Sequence, residues 1–314
     1  LKVTPVRYAQ YCCDTSSPKN LLTTPTLYDL VLHEVIGMAT KEATQLALWR
    51  NLLSFHQQDK EDDLRIWIEL RMVDLDDDDN TRTQHNEADN NDKINSKLLQ
   101  LIKKYKDSKS DWVTSIYHEM ATRLRTQNKR VEAVAYCDTA IGRAPKSMGG
   151  VACYNLREEL LKPQLWTEVE QDRQMPHHSS LAVVTHTNAD HLYCRIVKHS
   201  NNNDRDHLKR KVIEQWDQAL PHYEDLLPHK SYVYVPPLPS GDYDLLVSVT
   251  KDFKQEGYTA QQLSLCEAQL LCTSDDGLEG LLVNRQSGKP FAHHKVEIVN
   301  PRNNQTPVLA YTTT

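Results

Sequence analysis

Apolar residues recur at helical spacing over the first half of the chain, across residues 25–161. Leu46 and Trp49 illustrate the pattern, because residues three apart lie on one face of a helix. Thr24 before Pro25 suits the start of a first helix, since proline at the first helical position loses no hydrogen bond. Further helices are expected at Lys41–Gln58, Asp62–Leu75, Lys93–Lys106, Asp111–Thr126, Val131–Ala144 and Gly150–Leu161.

After Pro163 the pattern changes to short segments with period-two alternation and turn residues between them, which is typical of β-strands. A helix around Asp206–Gln218 is expected to interrupt them. Gln286-Ser287-Gly288 is typical of a turn that joins two strands, because glycine tolerates a positive φ. The strands are expected at Ser180–Thr187, His191–Lys198, Ser231–Val235, Asp242–Thr250 and Gln261–Cys272, with a module boundary near Ser274–Gly277.

The stretch from Ser115 to Pro145 has small and large residues in the order of a tetratricopeptide-type helical hairpin. Ala121, Ala133 and Ala140 are expected at the crossing of its two helices, where only a methyl group fits. The sequence therefore predicts paired helices in the first half and strands in the second, with α and β segregated along the chain.

The amino-acid composition narrows the classes of binding partner and says little about the cellular compartment. The formal charge of -6 gives no electrostatic reason to bind nucleic acid or an anionic membrane. No apolar run approaches the ~20 residues needed to cross a bilayer, and the first residues lack the apolar core of a signal peptide. The seven cysteines are an odd number without a disulfide-framework spacing, so cysteine usage leaves the compartment open.

One acidic segment is a weak candidate for calcium binding. Asp76, Asp78, Asn80 and Glu87 have a spacing similar to ligand positions of a calcium loop. Thr81 stands where the sharp turn of such a loop needs glycine. The surrounding stretch is almost wholly polar, so a solvated flexible loop is the simpler interpretation.

Other metal and catalytic candidates are weaker. Neighbouring histidines in a strand point to opposite faces, so His177-His178 and His293-His294 do not clasp one ion. His186, His191 and Cys194 form another candidate set for zinc. His186 and Cys194 are expected to face each other across a hairpin, but a zinc site would still need a third ligand from elsewhere. There is no phosphate-binding glycine loop, zinc-binding HExxH helix or nucleophile elbow. No catalytic residue and no cofactor is therefore expected.

Three segments, in order, resemble the N-terminal part of bacterial alpha-2-macroglobulin-like proteins, particularly large lipoproteins of Gram-negative gut-associated bacteria. They are TPTLYDLVLHEVI, then CYNLREELLKPQLWTEVE with SSLAVVTHTNADHLYCRIVK, then VYVPPLPSGDYDLLVSV with LLVNRQSGKPFAHHKVEIVN. The resemblance implies a helical-repeat region with linker at 1–179, a macroglobulin-like β-sandwich at 180–275, and the beginning of a second macroglobulin-like (MG2) domain at 276–314.

The same resemblance implies a non-catalytic structural part of an envelope protein that traps proteases in its intact form. The location is then extracytoplasmic, in the periplasm or anchored to the outer membrane. Its partners are proteases or other envelope proteins, with no nucleic acid and no membrane contact from this segment. The family thioester motif CxEQ is absent, because Ala268 replaces the glutamate between Cys266 and Gln269. Cys266 is instead expected to be buried in a strand.

Two other functions remain open. One is a helical-repeat scaffold that binds a protein or peptide partner on its concave face, which exposed aromatic or charged residues there would favour. The other is carbohydrate recognition by the second half, which needs a planar array of exposed aromatic side chains. Trp216 and the tyrosines between Tyr223 and Tyr243 are interpreted as core or hairpin contacts instead.

Overall fold

The computed structural model describes residues 42–75, 87–169, 173–200, 207–253, 257–272, 280–292, 295–298 and 310–313. Contacts divide the chain into two compact units, considered separately below. A helical unit comprises Leu1–Lys162 with Glu224–Leu227, and a strand unit comprises Pro163–Tyr223 with Pro228–Thr314. The three-part division expected from the sequence stays a prediction.

The helical unit has six helices among its described residues. They are α1 (Glu42–Phe55), α2 (Asp63–Met72), α3 (Glu87–Lys104), α4 (Val113–Thr126), α5 (Arg130–Arg143) and α6 (Met148–Leu161). Each contributes an apolar face with residues three and four apart, as Ile116, Met120 and Leu124 do on α4. The expected helix start at Thr24-Pro25 lies outside the described residues.

Helices α4, α5 and α6 pack closely because small residues lie at their contacts. Ala121, Ala133 and Ala140 have no exposed surface, which confirms the burial expected from their order in the sequence. Cys137 on α5 and Cys153 on α6 are buried in the same core as free thiols. Methyl-sized groups allow two helix backbones to approach, so the packing of these helices depends on residue size.

The strand unit has twelve strands among its described residues. They are β1 (Gln164–Val169), β2 (Arg173–Gln174), β3 (Ser180–Thr187), β4 (His191–Lys198), β5 (Val212–Ala219), β6 (His229–Val235), β7 (Gly241–Ser248), β8 (Thr259–Leu265), β9 (Ala268–Cys272), β10 (Gly280–Asn284), β11 (Lys295–Ile298) and β12 (Ala310–Thr313). A three-stranded sheet has the order β1-β3-β6, and a five-stranded sheet has the order β2-β8-β7-β4-β5.

The inner faces of the two sheets share one apolar core. Ala182 and Val184 on β3 and Val233 on β6 belong to the same buried cluster as Leu192 on β4 and Leu245 on β7. Alternate residues of a strand point to opposite faces, so the intervening residues of β3 and β6 lie on the other face of the three-stranded sheet.

Two further strand pairs lie outside these sheets. β10 pairs with β9, and β11 pairs with β12, each antiparallel. The expected turn follows β10, where Gly288 has a φ of 68° and Asn284 N donates to Lys289 O at 2.9 Å. The positive φ expected at this glycine is confirmed.

The expected helix at Asp206–Gln218 is wrong. Only His207–Lys209 forms a turn of 3-10 helix, and β5 follows it at the edge of the five-stranded sheet. Val212 and Ile213 are β-branched and favour extended backbone, and Val212–Ala219 pairs antiparallel with β4. Pairing with β4 therefore determines the extended conformation of Val212–Ala219.

The fold class expected from the sequence, helical hairpins followed by a macroglobulin-type antiparallel β-sandwich, is also wrong. The five-stranded sheet is mixed, because Arg173–Gln174 pairs parallel with β8, whereas the pairs of the three-stranded sheet are antiparallel. One sheet has three strands and the other five, and the strand pairs β9–β10 and β11–β12 stand apart from both. The observed arrangement is six described helices followed by mixed and antiparallel sheets.

Candidate functional site: a groove in the helical unit

A groove of about 510 Å³ opens between α2, α4 and α6, which alternate along the chain with α3 and α5. Its wall combines aromatic, aliphatic and charged side chains. The residues lining it are Trp67, Leu70, Arg71, Asp74, Trp112, Ser115, His118, Glu119, Met148, Gly149 and Ala152. A volume of this size accommodates one or two amino-acid side chains of a partner.

The close approach of α6 to α4 forms one end of the groove. Ser147 caps α6, because its Oγ accepts from Gly150 N at 3.0 Å and lies 2.8 Å from Thr114 Oγ1 on α4. Gly149 is packed so tightly that an added Cβ would overlap the backbone of α4 at Ser115. The absence of a side chain at Gly149 therefore lets α6 begin directly against α4.

Aromatic and sulfur-containing side chains supply the apolar surface. Trp67 is largely buried, and its ring meets that of Trp49 edge to face at a centroid distance of 5.5 Å. Trp112, just before α4, is half-buried and packs against the same cluster. Met148 at the rim is 64% exposed. Rigid rings beside a flexible thioether provide a surface that adapts to an apolar side chain.

Charges around the groove are unevenly paired. Arg123 on α4 pairs with both nearby carboxylates, Asp74 and Glu119, and its Nε lies 3.0 Å from Glu119 Oε1. Arg71 forms no ion pair with another described residue, and its guanidinium lies 5.6 Å from the centre of the Trp67 ring. The two arginines and the two carboxylates balance in number, and Arg71 is the cation that lies over an aromatic ring instead of in an ion pair with a described residue.

His118 lines the same wall and is neutral near pH 7. Burial lowers the pKa of this imidazole, and the neighbouring Glu119 opposes that shift only in part. A neutral ring adds apolar surface and one hydrogen-bond donor without adding charge. The charged groups beside the groove are consequently Arg71, Arg123 and the two carboxylates Asp74 and Glu119.

Of the four predicted calcium ligands, the structure describes only Glu87. Asp76, Asp78 and Asn80 lie outside the described residues, and Glu87 is the first residue of α3. Among the described parts of the chain, no group of three histidine, cysteine, aspartate or glutamate side chains could hold a metal ion.

The histidines and the cysteine considered for zinc are separated. His186 on β3 is buried in the three-stranded sheet, 3.0 Å from Ser231 Oγ, whereas Cys194 on β4 is buried in the five-stranded sheet. Burial lowers the pKa of His186 and raises that of Cys194 to about 12. The expected meeting of these two residues across a hairpin is wrong, because β3 and β4 belong to different sheets. His293 and His294 lie outside the described residues.

Cys266 also differs from its expected setting. It lies between β8 and β9 rather than inside a strand, and it is exposed. The burial expected of this cysteine, because free cysteine is often buried in a strand, is therefore wrong. The backbone N of Ala268 donates to its sulfur at 3.4 Å, which forms a local turn.

Sequence reasoning did not single out the groove residues. Trp67, Trp112 and His118 have the spacing of ordinary helical core positions, and they meet only through the packing of three helices. One local signal was available, namely the adjacent pair Gly149-Gly150 in the first turn of a helix. Glycine is unfavourable within helices, so such a pair indicates a close backbone approach.

Comparison with protein-family models gives no match, and comparison with curated proteins gives none either. A comparison with solved structures returns Pseudomonas fluorescens alkylpurine DNA glycosylase AlkC bound to DNA containing an abasic site analog. The likeness covers 77% of this chain and 83% of that chain, with 9% sequence identity and a TM-score of 0.21. A TM-score of this size is too small to carry an inference about function.

The resemblance to alpha-2-macroglobulin-like proteins is wrong. No macroglobulin model or protein matches. The properties implied by the resemblance lose their support with it: a macroglobulin-domain protease inhibitor, a chain that is not an enzyme, and partners limited to proteases or envelope proteins without nucleic acid. The extracytoplasmic location stays a prediction. No described helix is long and apolar enough to span a membrane.

Proposed function

We propose that the helical unit is a binding module for a protein or peptide partner, which inserts an apolar side chain into the groove between α2, α4 and α6. The observation that carries this proposal is the combination of about 510 Å³ of open volume with a lining of two tryptophans and an exposed methionine. Exposed aromatic and apolar residues within a concave surface are typical of protein-binding sites.

The charges favour a particular kind of peptide. Both carboxylates beside the groove are paired with Arg123, whereas Arg71 forms no ion pair with another described residue. A partner that carries a carboxylate next to its apolar side chain pairs with the Arg71 guanidinium without displacing an existing ion pair. The partner is therefore a peptide segment with an aromatic or aliphatic anchor and an adjacent acidic group.

Selection from a random peptide library displayed on phage tests the proposal, because it presents all side-chain combinations without bias. The selected peptides are expected to share an apolar residue next to an aspartate, a glutamate or a free C-terminus. Their dissociation constants are then measured by calorimetry with purified protein. Met148→Lys is expected to weaken binding at least about tenfold because it replaces the thioether that contacts the apolar anchor with a solvated ammonium group, and Arg71→Glu because it repels the acidic group of the peptide.

Val131→Lys is the matched control for Met148→Lys. Val131 on α5 is 52% exposed and does not line the groove, so its substitution introduces the same charge at a comparable surface position. Binding to this variant is expected to equal binding to the unsubstituted protein. The proposal is refuted if no peptide is selected, or if the selected peptides bind the Met148→Lys and Arg71→Glu variants as tightly as the control.

A further inference from the structure

The outer face of the three-stranded sheet carries exposed aromatic rings. Trp166 on β1 is 63% exposed, and on β6 Tyr232 is 66% and Tyr234 is 53% exposed. Strand register places the three rings on one face. Trp166 is opposite Thr185 on β3, Tyr232 is opposite Val183, and Tyr234 is opposite Leu181. These β3 residues are two apart, so their side chains point to the same side of the sheet. The alternate residues Thr167, Ala182, Val184, Val233 and Val235 are buried on the inner face. Trp166, Tyr232 and Tyr234 are named the aromatic face below.

The rings of the aromatic face are spread over a long diagonal. Tyr232 and Tyr234 are two residues apart on one strand, about 7 Å, and Trp166 lies two strands away, about 10 Å across the sheet. The diagonal from Trp166 to Tyr234 is thus about 17 Å. Such a distance spans several units of a linear polymer, whereas a single small molecule would reach one ring or two.

The space between the rings is filled and relatively flat. Val183 and Thr185 on β3 lie between β1 and β6 and are half-buried, so they form a floor rather than a cavity. The indole Nε1 of Trp166 donates to Glu168 Oε1 at 2.8 Å, which restrains the ring along its own strand. A ring held in place before binding loses less conformational entropy when a ligand stacks on it.

The charge of this surface argues against anionic ligands. Among the described residues of its rows, the exposed charged side chains are one cation, Lys230, and one anion, Glu168, whose charges cancel. Nucleic acid and anionic membranes need an excess of lysine and arginine, because neutralisation of phosphate charge supplies most of their binding energy. A neutral ligand matches this balance.

The mixture of charged and aromatic side chains on this face suits a sugar better than an apolar protein surface as the binding partner. The centre of a protein interface is depleted in charged residues, whereas Lys230 and Glu168 here lie in the same rows as the rings. A pyranose ring has an apolar face of C–H groups that stacks on an aromatic ring, and its edge carries hydroxyl groups. Those hydroxyls hydrogen-bond to tyrosine, lysine and carboxylate side chains beside the rings.

We propose that the aromatic face binds a neutral linear polysaccharide, with sugar rings stacked on Trp166, Tyr232 and Tyr234. This site belongs to the strand unit and is independent of the groove in the helical unit. A chain of several linked sugars crosses the face along the diagonal between Trp166 and Tyr234. Weak stacking at each ring adds up because the sugars are covalently linked.

Affinity electrophoresis with the intact chain tests this site. Native gels contain hydroxyethylcellulose, xylan, galactomannan or soluble starch, with heparin as the anionic comparison. At least one of the neutral polymers is expected to slow migration. Trp166→Ala and the double variant Tyr232→Ala/Tyr234→Ala are expected to weaken the retardation about tenfold or more.

Tyr154→Ala is the matched control, because Tyr154 on α6 is 53% exposed, the same fraction as Tyr234, and lies outside the aromatic face. Its migration in every gel is expected to equal that of the unsubstituted protein. Thermal unfolding of all variants, followed by circular dichroism, verifies that each is folded. If no neutral polymer retards the protein, if only heparin does, or if folded variants of the aromatic face behave like the control, the assignment is overturned.

Discussion

Substitution of Gly149 by alanine tests the close contact between α6 and α4, which also forms one end of the groove. A Cβ atom built on Gly149 lies 2.5 Å from Thr114 Oγ1, whereas ordinary contacts of a Cβ begin at 3.4 Å. It also overlaps the backbone of Thr114 and Ser115. Backbone atoms have no alternative rotamer, so α6 must move away from α4 by about 1 Å to accept the methyl group.

The expected free-energy change combines two opposing effects. Overpacking of a well-packed contact costs about 1–3 kcal/mol. Replacement of glycine by alanine in a helix stabilises it by up to about 1 kcal/mol. Overpacking exceeds the gain in helix propensity, and Gly149→Ala is expected to lower the free energy of unfolding by about 1–2 kcal/mol.

Gly142→Ala is the matched control. Gly142 lies in the last turn of α5, and an added Cβ would meet no atom within 4 Å. Only the change in helix propensity applies, so this variant is expected to gain up to about 1 kcal/mol. Urea titration followed by circular dichroism at 222 nm measures both variants, since all the described α-helices belong to the helical unit. If Gly149→Ala raises the urea midpoint as Gly142→Ala does, the inferred backbone contact does not exist.

Three other predictions follow from buried groups. Asp244→Asn is expected to lower the free energy of unfolding by about 3–5 kcal/mol in urea titrations, because the buried carboxylate is 2.6 Å from Arg210; a loss under about 1 kcal/mol would refute this. Iodoacetamide at about pH 8 is expected to label the exposed Cys266 but not Cys194, because burial raises the pKa of the Cys194 thiol to about 12. Mass spectrometry of the labelled peptides measures this, and labelling of Cys194 in the folded protein would contradict the prediction. Burial lowers the pKa of His118, so the unfolded chain binds more protons than the folded one, and the free energy of unfolding is expected to fall as pH decreases from about 7 to 5. In urea titrations, His118→Gln should reduce this dependence of the unfolding free energy on pH. An unchanged pH dependence would argue against the role of His118.

Strands β3, β4 and β6, each with one buried face, were predictable from the sequence, whereas β5 was not. β3 and β4 occupy the residues expected for them, because Ala182 and Val184 alternate with more exposed positions and Leu192 and Cys194 do the same. β5 lies at the edge of its sheet and is mostly exposed on both faces, so it has no such alternation. Its extended conformation depends on pairing with β4, which no pattern within Val212–Ala219 indicates.

The groove was less predictable than the helices that form it. Helical periodicity indicates that Trp67 and Trp112 turn toward other helices, but it does not indicate which helices or how completely they fill the space. Three helices contribute to the groove, with lining residues as far apart along the chain as Trp67 and Ala152. Open volume depends on the packing of all three, and the missing side chain at Gly149 is the one local feature that points to it.

The orientation of the exposed tyrosines, by contrast, follows from their neighbours in the strand. Tyr232 and Tyr234 alternate with Val233 and Val235, and apolar area alone would permit either set to be buried. Lys230 shares a face with the tyrosines, so burying them would also bury an ammonium group without a partner. A one-residue change of register would impose that cost, and the valines therefore face the core.

The same reasoning applies to β1. Trp166 shares a face with Glu168, so the charge of Glu168 keeps that face in water and the indole with it. In both strands a charged residue two positions from an aromatic residue determines which way the ring points. The interpretation of the tyrosines as core or hairpin contacts omitted this constraint: Tyr243 is buried, whereas Tyr232 and Tyr234 are exposed. A charged residue two positions from an aromatic residue in a strand is therefore a sequence signal for an exposed aromatic face, because it opposes the register that would bury both.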